Sequence, residues 1–206
     1  MKANETKVDK FLATNETTFA IPVYQRNYDW TLFQCKQLLH DIIETGKNDK
    51  TNAHFIGSIV YVHDDVYTAS GLTELTIIDG QQRLTTITLI YIALYRLAKE
   101  LDNQMLVNRI QKTYLINEFA PEEEKLKLKP TENNKEALRH ILNSADGEEF
   151  KGYSKIIENI TITMYFFFTS LILSSYSHPH PYTTPTLCLF LPDVLTSNFT
   201  VYVIRY

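Results

Sequence analysis

Asp79, Gly80, Gln81, Gln82 and Arg83 place four hydrogen-bonding side chains and a glycine on consecutive positions. Before them stands the β-type run Leu75, Thr76, Ile77, Ile78; after them Leu84, Ile87, Tyr91, Leu94, Ala98 and Leu101 recur at helical spacing. The polar knot therefore falls where a strand hands over to a helix. At such a junction the first helical N–H groups lack intrahelical partners, and the macrodipole favours an anion. Gly80 lets the backbone approach a ligand closely, and Arg83 offers a planar donor fork matched to phosphate or carboxylate. The chemistry predicted is phosphate binding. An Asp-Gly turn followed by a solvated arginine would use some of the same residues. A structural turn needs only one or two polar groups, however, and this one has four.

Two other stretches carry candidate chemistry. In residues 23–30, Tyr24, Tyr28 and Trp30 alternate with Gln25, Arg26, Asn27 and Asp29. The aromatic rings could stack on a base or belong to the core. In residues 54–62 a glycine, Gly57, interrupts a β-branched and aromatic run beside Ser58, which marks a bulge or a close approach. His178 and His180 flank Pro179 with no acidic or cysteine partner nearby, so no metal site is predicted.

The positioning elements follow from periodicity. Residues 1–18 read as a short helix around Val8, Phe11 and Leu12, and residues 19–22 as a brief extended piece. Thr31 with Gln34 makes a capping box for a helix whose apolar face is Leu32, Cys35, Leu38, Leu39, Ile42 and Ile43. Cys35 is thus a core residue. Strands over 54–62 and 72–78 pair antiparallel, and a helix over residues 104–118 follows the long one. A short exposed strand (residues 126–130) and an amphipathic helix (133–142) come next. The three acids at 122–124 read as a solvated face.

Composition bounds the class. The 206 residues are 44% hydrophobic and 21% charged, with net charge −4, an ordinary globular profile without a basic footprint. Two cysteines, Cys35 and Cys188, and an opening without a signal-peptide core suggest a reducing cytoplasm. Of the 20 basic and 24 acidic side chains, all but Asp193 and Arg205 lie within residues 1–158. The uncharged apolar run of 160–173 is 14 residues, short of the ~20 a membrane span needs, so no membrane contact is expected. Residues 1–158 are read as one domain. Residues 159–206 are read as a partial helix followed by an aberrant or disordered, low-charge tail.

Three segments in register resemble the N-terminal domain of GmrSD-type restriction endonucleases, of the ParB/sulfiredoxin-like fold. They are residues 21–30 (Ile-Pro-Val-Tyr-Gln-Arg-Asn-Tyr-Asp-Trp), 54–59 (His-Phe-Ile-Gly-Ser-Ile) and 78–85 (Ile-Asp-Gly-Gln-Gln-Arg-Leu-Thr). The resemblance covers roughly residues 8–165 and implies an α+β fold, a small mixed sheet with flanking helices. It implies nucleotide binding and hydrolysis at the Asp-Gly-Gln-Gln-Arg motif within a modification-dependent, phage-defence restriction system. Asp79, Gln81, Gln82 and Arg83 would then be catalytic. Gln25, Arg26, Tyr28, Gly57, Ser58, Gly80 and Arg83 would bind the nucleotide, with Mg²⁺ or another divalent cation accompanying the triphosphate. Relatives continue to an HNH nuclease domain, for which no cluster stands here. The chain thus reads as a truncated member that reaches DNA through a missing or separate nuclease domain. A DNA-binding or sensor module that hydrolyses nothing, and an inactive gene fragment, are the alternatives.

Overall fold

The long periodic stretch forms the helix around which the molecule packs. The computed structural model describes residues 2–47, 54–63, 71–118, 120–121, 125–143, 150–161, 163 and 199–205. In chain order the elements are β1 (Lys2–Lys7), α1 (Val8–Leu12), β2 (Thr17–Ala20), α2 (Leu32–Lys47), β3 (His54–His63), β4 (Thr73–Asp79) and α3 (Gln81–Glu100). Then come α4 (Gln104–Ile110), which runs into a π-helical turn over Gln111–Leu115, β5 (Leu128–Lys129), α5 (Glu132–Asn143) and β6 (Phe199–Arg205). A further helical stretch occupies residues 155–161.

Of the 20 residues of α3, 16 are buried. The spacing of Leu84, Ile87, Tyr91, Leu94 and Ala98 predicts one buried face, yet Leu89, Ile90, Ile92 and Ala93 on the other faces are at most 2% exposed. A helix apolar all round is a central helix rather than a surface one. Its neighbours are fixed by specific contacts. Tyr91 stacks on Tyr114 with ring centroids 4.2 Å apart. Arg96 donates Nε and Nη2 to the Ile141 carbonyl, holding an end of α5 against it.

The six-stranded sheet runs in the order β1-β6-β3-β4-β2-β5. β3 pairs antiparallel with β4, as predicted, while β6 is parallel to β3 and antiparallel to β1. β2 lies parallel to both β4 and β5. This is the mixed α+β sheet with flanking helices expected from the sequence. One half of the capping box forms: the Thr31 N–H donates to Gln34 Oε1 at 2.9 Å, and the Thr31 hydroxyl donates to the same oxygen. Cys35 is buried, as its place on the helix face predicts.

Three readings are corrected. Residues 2–7 form a strand, not helix: their polar side chains carry no apolar alternation, and an edge strand needs none. The strand around Leu128 is not exposed. Leu128 is 3% and Lys127 2% exposed, because the Lys127 ammonium donates to the carbonyls of Leu12, Thr14 and Thr113. Within the stretch read as an aberrant tail, residues 164–198 lie outside the described residues, while residues 199–205 form β6, inside the sheet, with Val201 1% and Val203 8% exposed. Its alternating Val201, Val203 and flanking Tyr202 obey the period of two that a half-buried strand requires. The loop of residues 64–70, the acids at 122–124, His178, His180 and Cys188 lie outside the described residues.

Candidate functional site at the start of the central helix

β4 delivers the chain to Gly80, whose φ of +88° turns it directly into α3. A Cβ on Gly80 would stand 2.8 Å from the Ser58 carbonyl oxygen, so only glycine lets β3 pass this close. Among the described residues no side chain caps α3, so the N–H groups of its first turn lack a side-chain partner there.

The glycine in β3 has a matching purpose. The pairing of β3 with β6 shifts register between Phe55 and Ser58, and Gly57 there has φ +115°. A Cβ at Gly57 would lie 2.6 Å from Arg83 Cζ. The guanidinium of Arg83 therefore lies in a notch left by the missing side chain and donates Nη1 to the Ser58 carbonyl at 2.9 Å. One of its five N–H donors is used in that bond. The cation is held at the open end of a 20-residue helix dipole, where both favour an anion.

The third segment, residues 22–30, is tied across this junction by amides. Gln25 donates Nε2 to the Ile78 carbonyl at 3.0 Å, and Gln81 donates Nε2 to the Arg26 carbonyl at 3.2 Å. Gln82 accepts at Oε1 from the N–H groups of Asp29 (2.8 Å) and Trp30 (3.3 Å). It also donates Nε2 to the Asn27 carbonyl at 3.0 Å. With both acceptor sites and a donor engaged, Gln82 is a staple for the loop rather than a group open to a water. Thr131 clamps Asn27 from outside at 2.8 Å, and Lys155 forms an ion pair with Asp29. That ammonium lowers the Asp29 carboxyl below its usual range and is itself raised.

Gln25, the Arg26 backbone, Gly57, Ser58 and Asp79 to Arg83 are thus brought together at one place. Tyr28 is not. Its ring is 7% exposed, and its hydroxyl meets Thr86 Oγ1 at 2.8 Å and Cys35 Sγ at 3.2 Å while accepting from Asn159 Nδ2 at 3.1 Å. Burial pushes its phenol far above the usual value. It is a core residue and cannot stack on a base. Asn159 also donates to the Trp30 carbonyl at 2.9 Å, which joins residue 159 to the same buried network. Arg26 and Asp79 are exposed.

Two cavities flank the junction. One, of about 10 Å³, is lined by Arg26, Gln81, Gln82, Thr131 and Asn134 among others, and has room for about one water. Gln81 Oε1 is buried with no hydrogen-bond partner among the described residues. The other is a groove of about 260 Å³ lined by Trp30, Phe33, Phe55, Ile56, Leu38 and Arg83, with Gln34, Gln37 and Asp41 along its side. Phe33 and Phe55 were not singled out as site residues in the sequence. Phe33 lies off the apolar face of α2 (Cys35, Leu38, Leu39, Ile42), which is the signal that could have found it.

Among the described residues no group of three or more His, Cys, Asp or Glu is placed to hold a metal ion. No helix among them is long and apolar enough to cross a membrane. A comparison with curated proteins gives no match. The family model described as GmrSD restriction endonuclease, N-terminal domain, matches residues 8–203 and so reaches into β6, beyond the stretch whose motifs carry the resemblance. The three motifs that meet at the start of α3 all lie inside that match. The chain belongs to the GmrSD restriction endonuclease N-terminal domain family, and that membership supports a role in a restriction, phage-defence system.

Proposed function

We propose that this domain binds a nucleoside triphosphate at the start of α3 and hydrolyses it in service of a modification-dependent DNA restriction system. The observation that carries the reading is the Arg83 guanidinium, held in the Gly57 notch at an uncapped helix N-terminus. Fixed donors and a helix dipole converge there on one point, which suits a β- or γ-phosphate. The arrangement of Gly80 and Arg83 is also read as the Gly-x-x-Arg phosphate motif of the ParB/sulfiredoxin group.

Exposed Arg26 adds positive charge on the side of the small cavity. Gln81, rather than Gln82, is the amide that can orient a water: its Oε1 is buried without a partner among the described residues, and the residue lines a space for one. Asp79, exposed at the end of β4 next to Gly80, is the carboxylate that would hold a divalent cation. Magnesium needs only one or two carboxylates when substrate phosphates and waters supply the remaining ligands, so a single carboxylate here suffices. The cation would neutralise charge on the phosphates. DNA is reached through a nuclease domain outside these residues.

The test is titration of purified protein with nucleoside triphosphate and Mg²⁺. Arg83→Ala should weaken binding roughly 10- to 100-fold, since a charged hydrogen-bond pair contributes about 1.5–3 kcal/mol. Gln81→Ala should keep affinity within about threefold and lose hydrolysis by tenfold or more. Unchanged binding by Arg83→Ala removes the phosphate site. Binding by wild-type protein without turnover, with or without added DNA, leaves a sensor module in place of an enzyme.

A further inference from the structure

The groove beside Arg83 joins two chemistries that a triphosphate alone does not need. Its walls are aromatic: Trp30 is half-buried, while Phe33 is 75% and Phe55 52% exposed. Exposed phenylalanines are unfavourable in water unless something covers them. Two of them here line a common space together with Arg83. Phe55 is braced from behind by Tyr202 of β6, with ring centroids 5.0 Å apart, so its outward position is set by the sheet. Phe33 projects from the first turn of α2, whose start the Thr31–Gln34 box holds.

We infer that this groove seats the base of the nucleotide whose phosphates the start of α3 binds. The inference rests on the nucleotide reading above. An aromatic wall next to a fixed cation matches a ligand with a flat π-system at one end and negative charge at the other. Bases stack on aromatic rings regardless of sequence. The amides of Gln34 and Gln37 and the Asp41 carboxylate lie along the groove's side, where polar groups can read a base edge. Gln37 Nε2 already donates to Asp41 Oδ1 at 2.9 Å, which orients the pair. A volume of about 260 Å³ is near the lower end of small-molecule pockets, ~300 Å³, and suits a base with part of its sugar.

The occupant is therefore a free nucleoside triphosphate, and the alternative of an unstacked DNA base is separated by experiment. Binding of a nucleoside triphosphate, of inorganic tripolyphosphate and of a single-stranded oligonucleotide is measured on wild type, Phe33→Ala/Phe55→Ala and Phe33→Tyr. Wild type should prefer the nucleotide to tripolyphosphate by about tenfold or more, the scale of one lost aromatic stack. The double alanine variant should erase that preference while its tripolyphosphate affinity stays, and Phe33→Tyr should retain it. Both phenylalanines are largely exposed, so the fold should survive, as thermal unfolding will verify. Equal affinity of wild type for nucleotide and tripolyphosphate overturns the base site and leaves the phosphate site standing. So does loss of oligonucleotide binding alone in the double variant, which assigns the groove to DNA. Failure of wild type to bind either phosphate ligand instead overturns the nucleotide reading itself, and this inference with it.

Discussion

Gly57→Ala tests the joint between the two central motifs. The new Cβ would lie 2.6 Å from Arg83 Cζ, 2.8 Å from Nη1 and 2.9 Å from Nε. All three atoms belong to the end of a flexible side chain, so the guanidinium moves rather than the sheet. Moving it breaks the 2.9 Å bond to the Ser58 carbonyl. A charged donor bond contributes about 1.5–3 kcal/mol, and partial exposure of Arg83 places this one near the lower end. Alanine at φ +115° adds backbone strain of about 1–3 kcal/mol. Gly57→Ala should then destabilise by about 3 kcal/mol in wild type. In an Arg83→Ala background only the strain remains, leaving a coupling of about 1–1.5 kcal/mol. Urea unfolding of the four proteins in this double-mutant cycle measures it. Equal destabilisation in both backgrounds would show that the guanidinium does not occupy the notch. Gly57→Ala should also reduce nucleotide affinity although Arg83 itself is intact.

The other expectations concern the supports. Removing residues 199–206 takes β6 from between β1 and β3, and should abolish a cooperative thermal transition; an unchanged Tm would show that the strand contributes nothing. Gln82→Ala strips partners from the Asp29 and Trp30 N–H groups and the Asn27 carbonyl, and should cost roughly 2–4 kcal/mol in chemical denaturation. Loss below 0.5 kcal/mol would mean that water replaces the amide and the loop is not stapled. Burial pushes the Lys127 ammonium down from 10.5 to about 8, so unfolding takes up a proton between those pH values. Stability should therefore rise with pH across that window, and the rise should vanish in Lys127→Met, as urea midpoints at pH 8 and pH 10 will read.

Local signals were sufficient where structure is local. The strand, Gly80 and helix junction follows from a change of period from two to 3.6 around a glycine, and the start of α2 from one capping box. The buried state of Cys35 follows from its place on a helix face. The meeting of residues 21–30, 54–59 and 78–85 was legible only as a resemblance, since nothing in their periodicity says that they touch. Tertiary structure decided the rest, because strand pairing and side-chain hydrogen bonds join residues far apart in the chain. β1 has no apolar pattern and exists as a strand because β6, nearly 200 positions later, pairs with it. β6 looked unpatterned because its surroundings are low in charge, yet its alternation is read once β3 lies beside it. Tyr28, whose type suits base stacking, is drawn inward by the hydroxyl of Thr86 and the amide of Asn159, 58 and 131 residues away. The same holds for the two neighbouring glutamines. Composition makes them equivalent, and only the fold turns Gln82 into a staple while leaving the buried carbonyl oxygen of Gln81 without a partner among the described residues.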